Sequence, residues 1–476
     1  MRPDVAPALR PALELYLDLH RHPELAGAET RTAALFADRL RRVGYRVCTG
    51  IGGHGVIGVL RRGPGPAVLL RAELDALPVE ERTGLPYAST DVVIDPRTGA
   101  PVPVMHACGH DAHLACAAGA ADLLARDPGW RGTLFVVGQP AEETLTGARA
   151  MLEDGLYDRV GRPDVVLAQH TAPLPAGMVA HGTGPVLAGS SALSVEIRGR
   201  GGHAALPQLA VNPIEVAAAM VLRLREVDPE VSVTVGALHA GARGNVIPDV
   251  ATLEVSLRGL SAAALERGEA AVRRVAAQVA TGCPEPPRLT VLARSPVTVV
   301  DAEAAAPVRR AHEAAFGPAR VASWPGSLAT EDVGWFAAAG APLHGGTAIR
   351  LSHWMLGTVS PGRWARAASG PGPSSSGSGS GSGPSGSGPS GSGSGPSGAG
   401  PGSGPSGSGS GASGPVETGA AAAFAAVPPN HSSAYAPDPR GTLSTGIAAL
   451  VLAARAHLAG AGDDRPGSGS RRRASR

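Results

Sequence analysis

His106-Ala107-Cys108-Gly109-His110-Asp111-Ala112-His113 sets one thiol, three imidazoles and one carboxylate into a single short stretch. Cys108 and His110 stand two apart, and Gly109 between them leaves the backbone free to bend. Thiolate and imidazole are ligand types that a zinc-like or manganese-like ion takes from a protein. The competing explanation is a chance His/Cys cluster at a helix start. The Ala/Leu-rich run from Leu114 to Ala125 predicts that helix.

Working outward, short apolar runs precede most of the other polar clusters. Val56–Leu60 and Ala67–Leu70, with a Gly/Pro turn between them, predict buried strands, as do Leu134–Val137 and Val165–Leu167. Residues 1–45 predict helix, interrupted at His22-Pro23. Strands alternating with helices argue for an α/β fold around a central sheet. Open sheets of this class place ligand groups past the carboxyl ends of their strands. Arg71-Ala-Glu-Leu-Asp-Ala-Leu-Pro78, Gln139-Pro-Ala-Glu-Glu143 and Gln169-His170 each follow such a run. A fourth cluster, Asn430-His431-Ser-Ser-Ala-Tyr435, lies far downstream. Singly each is weak, because paired acids are usually solvated and a lone His usually serves the core. Three of them at predicted strand ends point to one shared site.

Near Gly189 the pattern changes. Ala192–Ile197, Val231–Leu238, Ala251–Leu257 and Arg288–Ala293 predict strands, and Asn212–Val227 and Ala262–Val279 predict helices. That βαββαβ-like order predicts a small α+β domain inserted into the first. The expected organisation is a catalytic domain in three parts (1–188, 299–368 and 415–462) and an inserted domain (189–298). A disordered Gly/Ser/Pro insert (369–414) and a disordered basic tail (463–476) complete it. A flexible tract of about 46 residues spans roughly 35–40 Å. Relative to a ~10-residue loop, closing it costs only about 1–1.5 kcal/mol more.

Composition removes several classes of function. The net charge is +2, so no strong field for nucleic acid or membrane is implied. All 42 basic residues are Arg, which excludes a P-loop lysine, a Schiff-base lysine and a Ser-Lys dyad. Cys48, Cys108, Cys116 and Cys283 are scattered without framework spacing, which fits a reduced compartment. The first residues show no secretory pattern, and no apolar run is long enough to span a bilayer. A cytoplasmic enzyme is the expectation.

Taken in order, the motifs from His20-Arg-His-Pro-Glu-Leu25 to His431-Ser-Ser-Ala-Tyr435 resemble the M20 metallopeptidase superfamily, in its amidohydrolase branch. That branch includes hippurate hydrolases, N-acyl-amino-acid amidohydrolases and auxin-conjugate hydrolases. Gly201-Gly-His-Ala-Ala205, Gly244-Asn-Val-Ile-Pro-Asp249 and Glu331-Asp332 belong to the same resemblance. It implies a zinc-peptidase-like catalytic domain with a mixed central sheet and an inserted dimerisation or lid domain. It implies two divalent ions, manganese or zinc, on Cys108, His110, Glu143, His170 and His431. Glu142 becomes the general base toward a metal-activated water, and Asp75 orients a ligand. His203 reaches the site of a partner in a homodimer to stabilise the oxyanion, and Asn245 and Arg258 are candidates for holding substrate. The implied substrate is a small N-acyl amino acid, cleaved to a carboxylic acid and a free amino acid. In this assignment His106 and His113 are structural or support the ligands without being ligands, His20, His22 and His54 are structural or exposed, and His344 and His353 carry no role.

The chain departs from the family pattern at Glu73, where Asp is usual, at Ser433 in place of Pro, and at Val333 in place of an aromatic residue. The Gly/Ser/Pro tract lies just upstream of His431, where its length threatens the last ligand. The rival functions are a dipeptidase or aminobenzoyl-glutamate-type hydrolase on the same site, a Cys108 nucleophile with His110, and a catalytically silent binding protein.

Overall fold

The apolar runs form the middle of one mixed sheet. In this computed structural model the described residues are 2–224, 228–345, 349–369 and 423–460. The predicted Gly/Ser/Pro insert, apart from Ser369, and the predicted basic tail lie outside them. From edge to edge the main path of the sheet runs Arg46–Ile51, Gly55–Arg62, Trp130–Gln139, Ala67–Glu73, Val165–Pro175, Arg350–Val359, Val179–His181 and Val321–Ser323. The central four of these strands (Trp130–Gln139 to Arg350–Val359) pair in parallel and the flanking ones mostly antiparallel. Val68, Leu69, Leu70, Val136, Val137, Val166 and Leu167 are fully buried, as strands covered on both faces require.

The helices Ala6–Arg21, His110–Arg126 and Pro439–His457 pack on one another beside this sheet. Gly119 permits their close approach, because a Cβ there would stand 2.7 Å from Ile447 Cδ1. Leu15, Leu19, Leu114, Ile447 and Leu450 fill the layer, each worth about 1.5–3 kcal/mol of burial. The helix after the Cys108–His110 pair begins at His110, not at Leu114 as the Ala/Leu run suggested. The N-terminal helical pattern resolves into Ala6–Arg21 and Thr30–Arg42.

A second sheet orders Ser232–Ala240, Val250–Gly259, Gly184–Arg198 and Arg288–Ser295. Helices Pro213–Arg223 and Ala262–Val279 pack on it around Leu193, Val195, Leu253, Val255 and Val272. Its strand–helix–strand–strand–helix–strand order is the one the sequence pattern predicts. Residues drawn from 1–360 and 428–476 cluster as one unit and those from 361–427 as another. Both sheets belong to the first unit, and the second contains the helix Pro361–Ala368. No described helix is long and apolar enough to cross a membrane. The four cysteines are free.

One buried pair predicts how stability depends on pH. His181 Nε2 lies 2.9 Å from His312 Nδ1, and His312 Nε2 donates to the Ala449 carbonyl at 3.0 Å. Burial pushes His181 down to about 3, with His312 adding to the effect, and pushes His312 down to about 4. Both rings are therefore neutral when folded and take up protons near pH 6.5 when unfolded. Their contribution is present above about pH 6.5 and is lost as pH falls toward 4, by about 1.4 kcal/mol per pH unit for each proton gained on unfolding. Urea midpoints should fall between pH 7.5 and pH 5, and His312→Gln should make that fall shallower. An unchanged slope in the variant counts against this assignment.

Candidate metal and amide-cleavage site

Each candidate side chain is delivered by the end of an element. Asp75 stands two residues past the Ala67–Glu73 strand, and Glu142 and Glu143 stand in the turn after Trp130–Gln139. His170 lies on Val165–Pro175, and His431 lies in the loop before the last long helix. Gly109 has φ +80, and a Cβ on it would stand 2.8 Å from Thr171 Oγ1. Only glycine meets both conditions, which explains its place between Cys108 and His110.

Two of the imidazoles are set in one tautomer by carbonyl groups. His110 Nδ1 donates to the Asp75 carbonyl at 2.9 Å, and His170 Nδ1 donates to the Thr171 carbonyl at 2.9 Å. A carbonyl can only accept, so in the neutral ring Nε2 keeps its lone pair, as a metal-ligating imidazole requires. In the metal-free site burial opposes the charge on His110, but Cys108 and Asp75 outweigh it and hold the ring well above the usual range. His170 Nε2 lies 3.5 Å from Cys108 Sγ. His110 Nε2 lies 3.7 Å from Glu142 Oε2 and 3.9 Å from Glu143 Oε1. His431 Nε2 lies 3.4 Å from Glu143 Oε2. One ligand atom each from Cys108, Glu143 and His431 falls within a 4.8 Å set, as does one each from His110, Glu142 and Glu143. His110 Nε2 and Glu143 Oε1 are buried with no hydrogen-bond partner among the described residues. Such orphans are costly unless something satisfies them. Soft thiolate, imidazole and carboxylate donors around these orphans fit a divalent cation.

His431 keeps its place despite the upstream tract. Its N–H donates to the Ala107 carbonyl at 2.8 Å, and the Ser433 carbonyl accepts from the Arg82 N–H at 2.8 Å. Asn430 Nδ2 donates to the Cys108 carbonyl at 3.2 Å. These bonds tie the loop to Ala107, Cys108 and Arg82, and His431 itself adopts φ 70. The turn carrying the paired acids is also strained. Ala141 has φ 51 and Leu145 φ 57, conformations that cost about 1–3 kcal/mol each in residues with a Cβ. The Glu143 N–H donates to Asp75 Oδ2 at 2.8 Å, so Asp75 touches both His110 and the acid turn.

The electrostatics centre on a group to which sequence reasoning assigned no role. The Arg71 side chain is fully buried and meets Glu73, Glu331, Asp332 and Gln139. Glu331 grips it with two bonds, at 2.7 and 3.1 Å. Glu73 also accepts from His113 Nδ1 at 2.7 Å, while His113 Nε2 accepts the Thr171 N–H at 2.8 Å. Both nitrogens of His113 are thus engaged, which removes it from any ligand set. The Glu found where Asp is usual bridges Arg71 and His113. Asp111 in the opening motif serves His20, whose two nitrogens meet Asp111 at 2.6 Å and Glu81 at 3.2 Å. Burial opposes the charge on His20, but these two acids outweigh it and hold the ring at about 9.

Among the acids, burial pushes Glu142 well above the usual carboxylate range, with Glu331 and Glu143 adding to the effect. Burial likewise raises Glu143 to about 7. Burial and then Glu143 push the Cys108 thiol up to about 12, and burial and His113 push His170 down to about 3.

These groups face a cleft of about 350 Å³, lined also by Leu187, Trp324, Met355 and Arg258. Arg258, on the Val250–Gly259 strand, is therefore brought to the site. His203 and Asn245 do not line the cleft. Both are exposed; His203 pairs with Val246 in a short ladder, and Asn245 stands in the turn just before it. Sequence reasoning also assigned no role to Thr171, whose hydroxyl donates to the Cys108 carbonyl at 2.7 Å, or to Glu29. Nothing in their local sequence marks them, because their partners are distant in the chain.

Comparison with known proteins places the chain in a family. Hippurate hydrolase of Campylobacter jejuni is 41% identical over 251 residues, 51% of this chain and 62% of that protein. N-acetyl-L-cysteine deacetylase of Bacillus subtilis is 39% identical over 50% of this chain and 57% of that protein. The chain thus matches less than two thirds of the length of either. N-acetyldiaminopimelate deacetylase of Geobacillus thermodenitrificans is 36% identical over 58% of this chain and 73% of that protein. Among solved structures, a dinuclear metal-binding peptidase from the M20 family of Bacillus subtilis superposes with TM-score 0.59 at 28% identity, covering 75% of this chain and 90% of that one. An aminobenzoyl-glutamate utilization protein from Klebsiella pneumoniae shares the fold, with TM-score 0.58 at 24% identity over 75% of this chain and 94% of that one. The peptidase family M20/M25/M40 is matched over residues 69–357, more than half of the chain and the part that holds Cys108, His110, Glu142, Glu143 and His170, so the protein belongs to that family.

Proposed function

We propose that this protein is a metal-dependent amidohydrolase that cleaves the amide bond of N-acyl or N-aroyl amino acids, releasing a carboxylic acid and a free amino acid. The observation that carries the proposal is the convergence of Cys108, His110, Glu143 and His431, with His170 beside Cys108, at a cleft that also exposes Glu142. Two divalent ions, manganese or zinc, held by Cys108, His110, Glu143, His170 and His431, would lower the pKa of water and polarise the amide carbonyl. The thiolate favours the softer zinc, while the carboxylate and imidazoles suit either.

Within that frame the adjacent acids divide the work. Glu143 faces His110 and His431 as a ligand. Glu142, with Oε2 nearer to His110 and Glu331 beside it, takes a proton from the attacking water and delivers it to the leaving nitrogen. Asp75 orients His110 through its carbonyl and the acid turn through its carboxylate. Leu187, Trp324 and Met355 offer an apolar wall for the acyl group, and Arg258 offers a fork for the substrate carboxylate. His203 and Asn245 are exposed, which suits service to a partner's cleft in a homodimer built through residues 189–298. The names of the relatives, a hippurate hydrolase and two N-acetyl deacetylases, support this substrate class. A Cys108 nucleophile paired with His110 is disfavoured in the metal-free site, because burial and then Glu143 push the Cys108 thiol up to about 12.

The test is hydrolysis of hippurate, N-acetyl amino acids, dipeptides and an aminobenzoyl-glutamate, with and without chelator. Activity on the N-acyl amino acids that chelation abolishes and manganese or zinc restores is expected. Hydrolysis that ignores the chelator contradicts the proposal. Arg258→Ala should raise KM for these substrates by about 10–100-fold with little change in kcat, the loss of one charge-assisted contact made equally before and during the reaction. A KM unchanged in that variant removes Arg258 from the substrate site.

A further inference from the structure

We propose that Glu29 and Asp332 act together with Asp75 as positioning residues that clamp the turn presenting Glu142 and Glu143. Two backbone N–H groups of this turn and one from the first turn of the helix that follows it, Gly147–Glu153, are each taken by a buried carboxylate from a different part of the chain. The Ala141 N–H donates to Glu29 Oε1 at 2.8 Å, the Glu143 N–H to Asp75 Oδ2 at 2.8 Å, and the Ala148 N–H to Asp332 Oδ2 at 3.0 Å. The clamps thus sit at the entrance, middle and exit of the turn. Glu29 and Asp332 are both fully buried.

The turn needs such support because it is not in a relaxed conformation. Ala141 and Leu145 both hold left-handed backbone angles, and a Cβ at Gly147 would stand 1.6 Å from the Pro140 carbonyl oxygen. Such a backbone persists only where its surroundings over-determine it. Return of Ala141 to an ordinary angle would swing both acids away from His110 and His431. Each clamp is itself anchored. Asp332 Oδ1 accepts from Gln139 Nε2 at 2.7 Å and from Arg71 Nη2 at 3.1 Å. Glu29 Oε1 also accepts the Gly27 N–H at 2.8 Å, at the start of the Thr30–Arg42 helix. Buried N–H groups must be paired, so loss of either carboxylate leaves a donor that only a rearranged turn can satisfy.

The effect of the clamp on metal binding and turnover rests on the function proposed above; the clamp itself does not. Hydrogen exchange of the segment 139–150, followed by mass spectrometry in the full-length metal-free chain, reads the clamp directly. Glu29→Ala and Asp332→Asn should each speed exchange there by about tenfold or more while the helix Pro439–His457 stays protected. Glu29→Gln should behave like the parent, because Oε1 receives both donors and Oε2 has no partner among the described residues. Competition titration with zinc against a chelating dye should show affinity lowered about 10–100-fold in the first two variants and nearly unchanged in Glu29→Gln. For hydrolysis kcat should fall in the same order, with KM kept within about twofold. Parental exchange across 139–150 in folded Glu29→Ala and Asp332→Asn overturns the clamp, as does a Glu29→Gln variant as loose as Glu29→Ala. If Glu29→Ala does not fold, Asp332→Asn and Glu29→Gln decide by the same criteria. A parent protein that binds no zinc sinks the proposed function instead, and leaves the exchange result to judge the clamp.

Discussion

Glu142→Gln is expected to lower kcat on N-acyl amino acids by about 10²–10⁴-fold, the range over which a positioned general base acts. The amide has the shape of the acid but cannot accept and return a proton. Glu142 is 4% exposed and its Oε2 lies 3.7 Å from His110 Nε2, so the neutral replacement fits without opening a cavity. The metal content should stay at the parental value, because Glu143 rather than Glu142 is assigned to the ions. KM should change little, since the contact that is lost belongs to the transition state. Steady-state kinetics and elemental analysis on the same preparation separate these effects. A variant that keeps kcat within about threefold removes Glu142 from proton transfer. A variant that loses its metal makes Glu142 a ligand.

The largest effect on stability is expected at Arg71. Its side chain is fully buried and is the shared partner of Glu73, Glu331 and Asp332. Arg71→Met keeps much of the volume and removes the charge, which leaves three buried acids without their counter-ion. Removal of one partner from a buried ion pair costs about 3–5 kcal/mol, a large share of the ~5–15 kcal/mol that holds a typical protein folded. The expected result is a sharply lowered urea midpoint. Arg10→Ala is the matched control, because the Arg10 side chain is 88% exposed in its pair with Glu14 and its loss should cost under about 1 kcal/mol. Equal, small losses in both variants would show that the acids around Arg71 are neutral when folded.

Part of the candidate site was legible because several of its residues follow short apolar runs. Asp75, Glu142 and Glu143 come directly after strands, and such polar residues have few other reasons to be there. The second sheet was legible from alternation in Ser232–Ala240 and Val250–Gly259, where every other residue of much of each strand is more buried. His106 and His113, by contrast, look alike in the sequence. The structure ties both nitrogens of His113 to Glu73 and Thr171 and leaves both of His106 without a partner among the described residues. That difference comes from residues far along the chain, which local pattern does not report. Glu29, Arg71 and Asp332 escaped a role for the same reason: each acts on a segment at least 68 positions away. The start of the helix at His110 was hidden by Gly109, whose left-handed backbone lets the helix begin within the motif.

Metal content of the purified full-length protein, measured by elemental analysis after exposure to manganese or zinc and removal of free ion, tests the central claim most directly. The account predicts about two ions per chain in the parent protein and a clear loss in His110→Ala and Glu143→Ala. A parent protein that retains no stoichiometric metal, or alanine variants that retain all of it, would contradict the assignment of Cys108, His110, Glu143, His170 and His431.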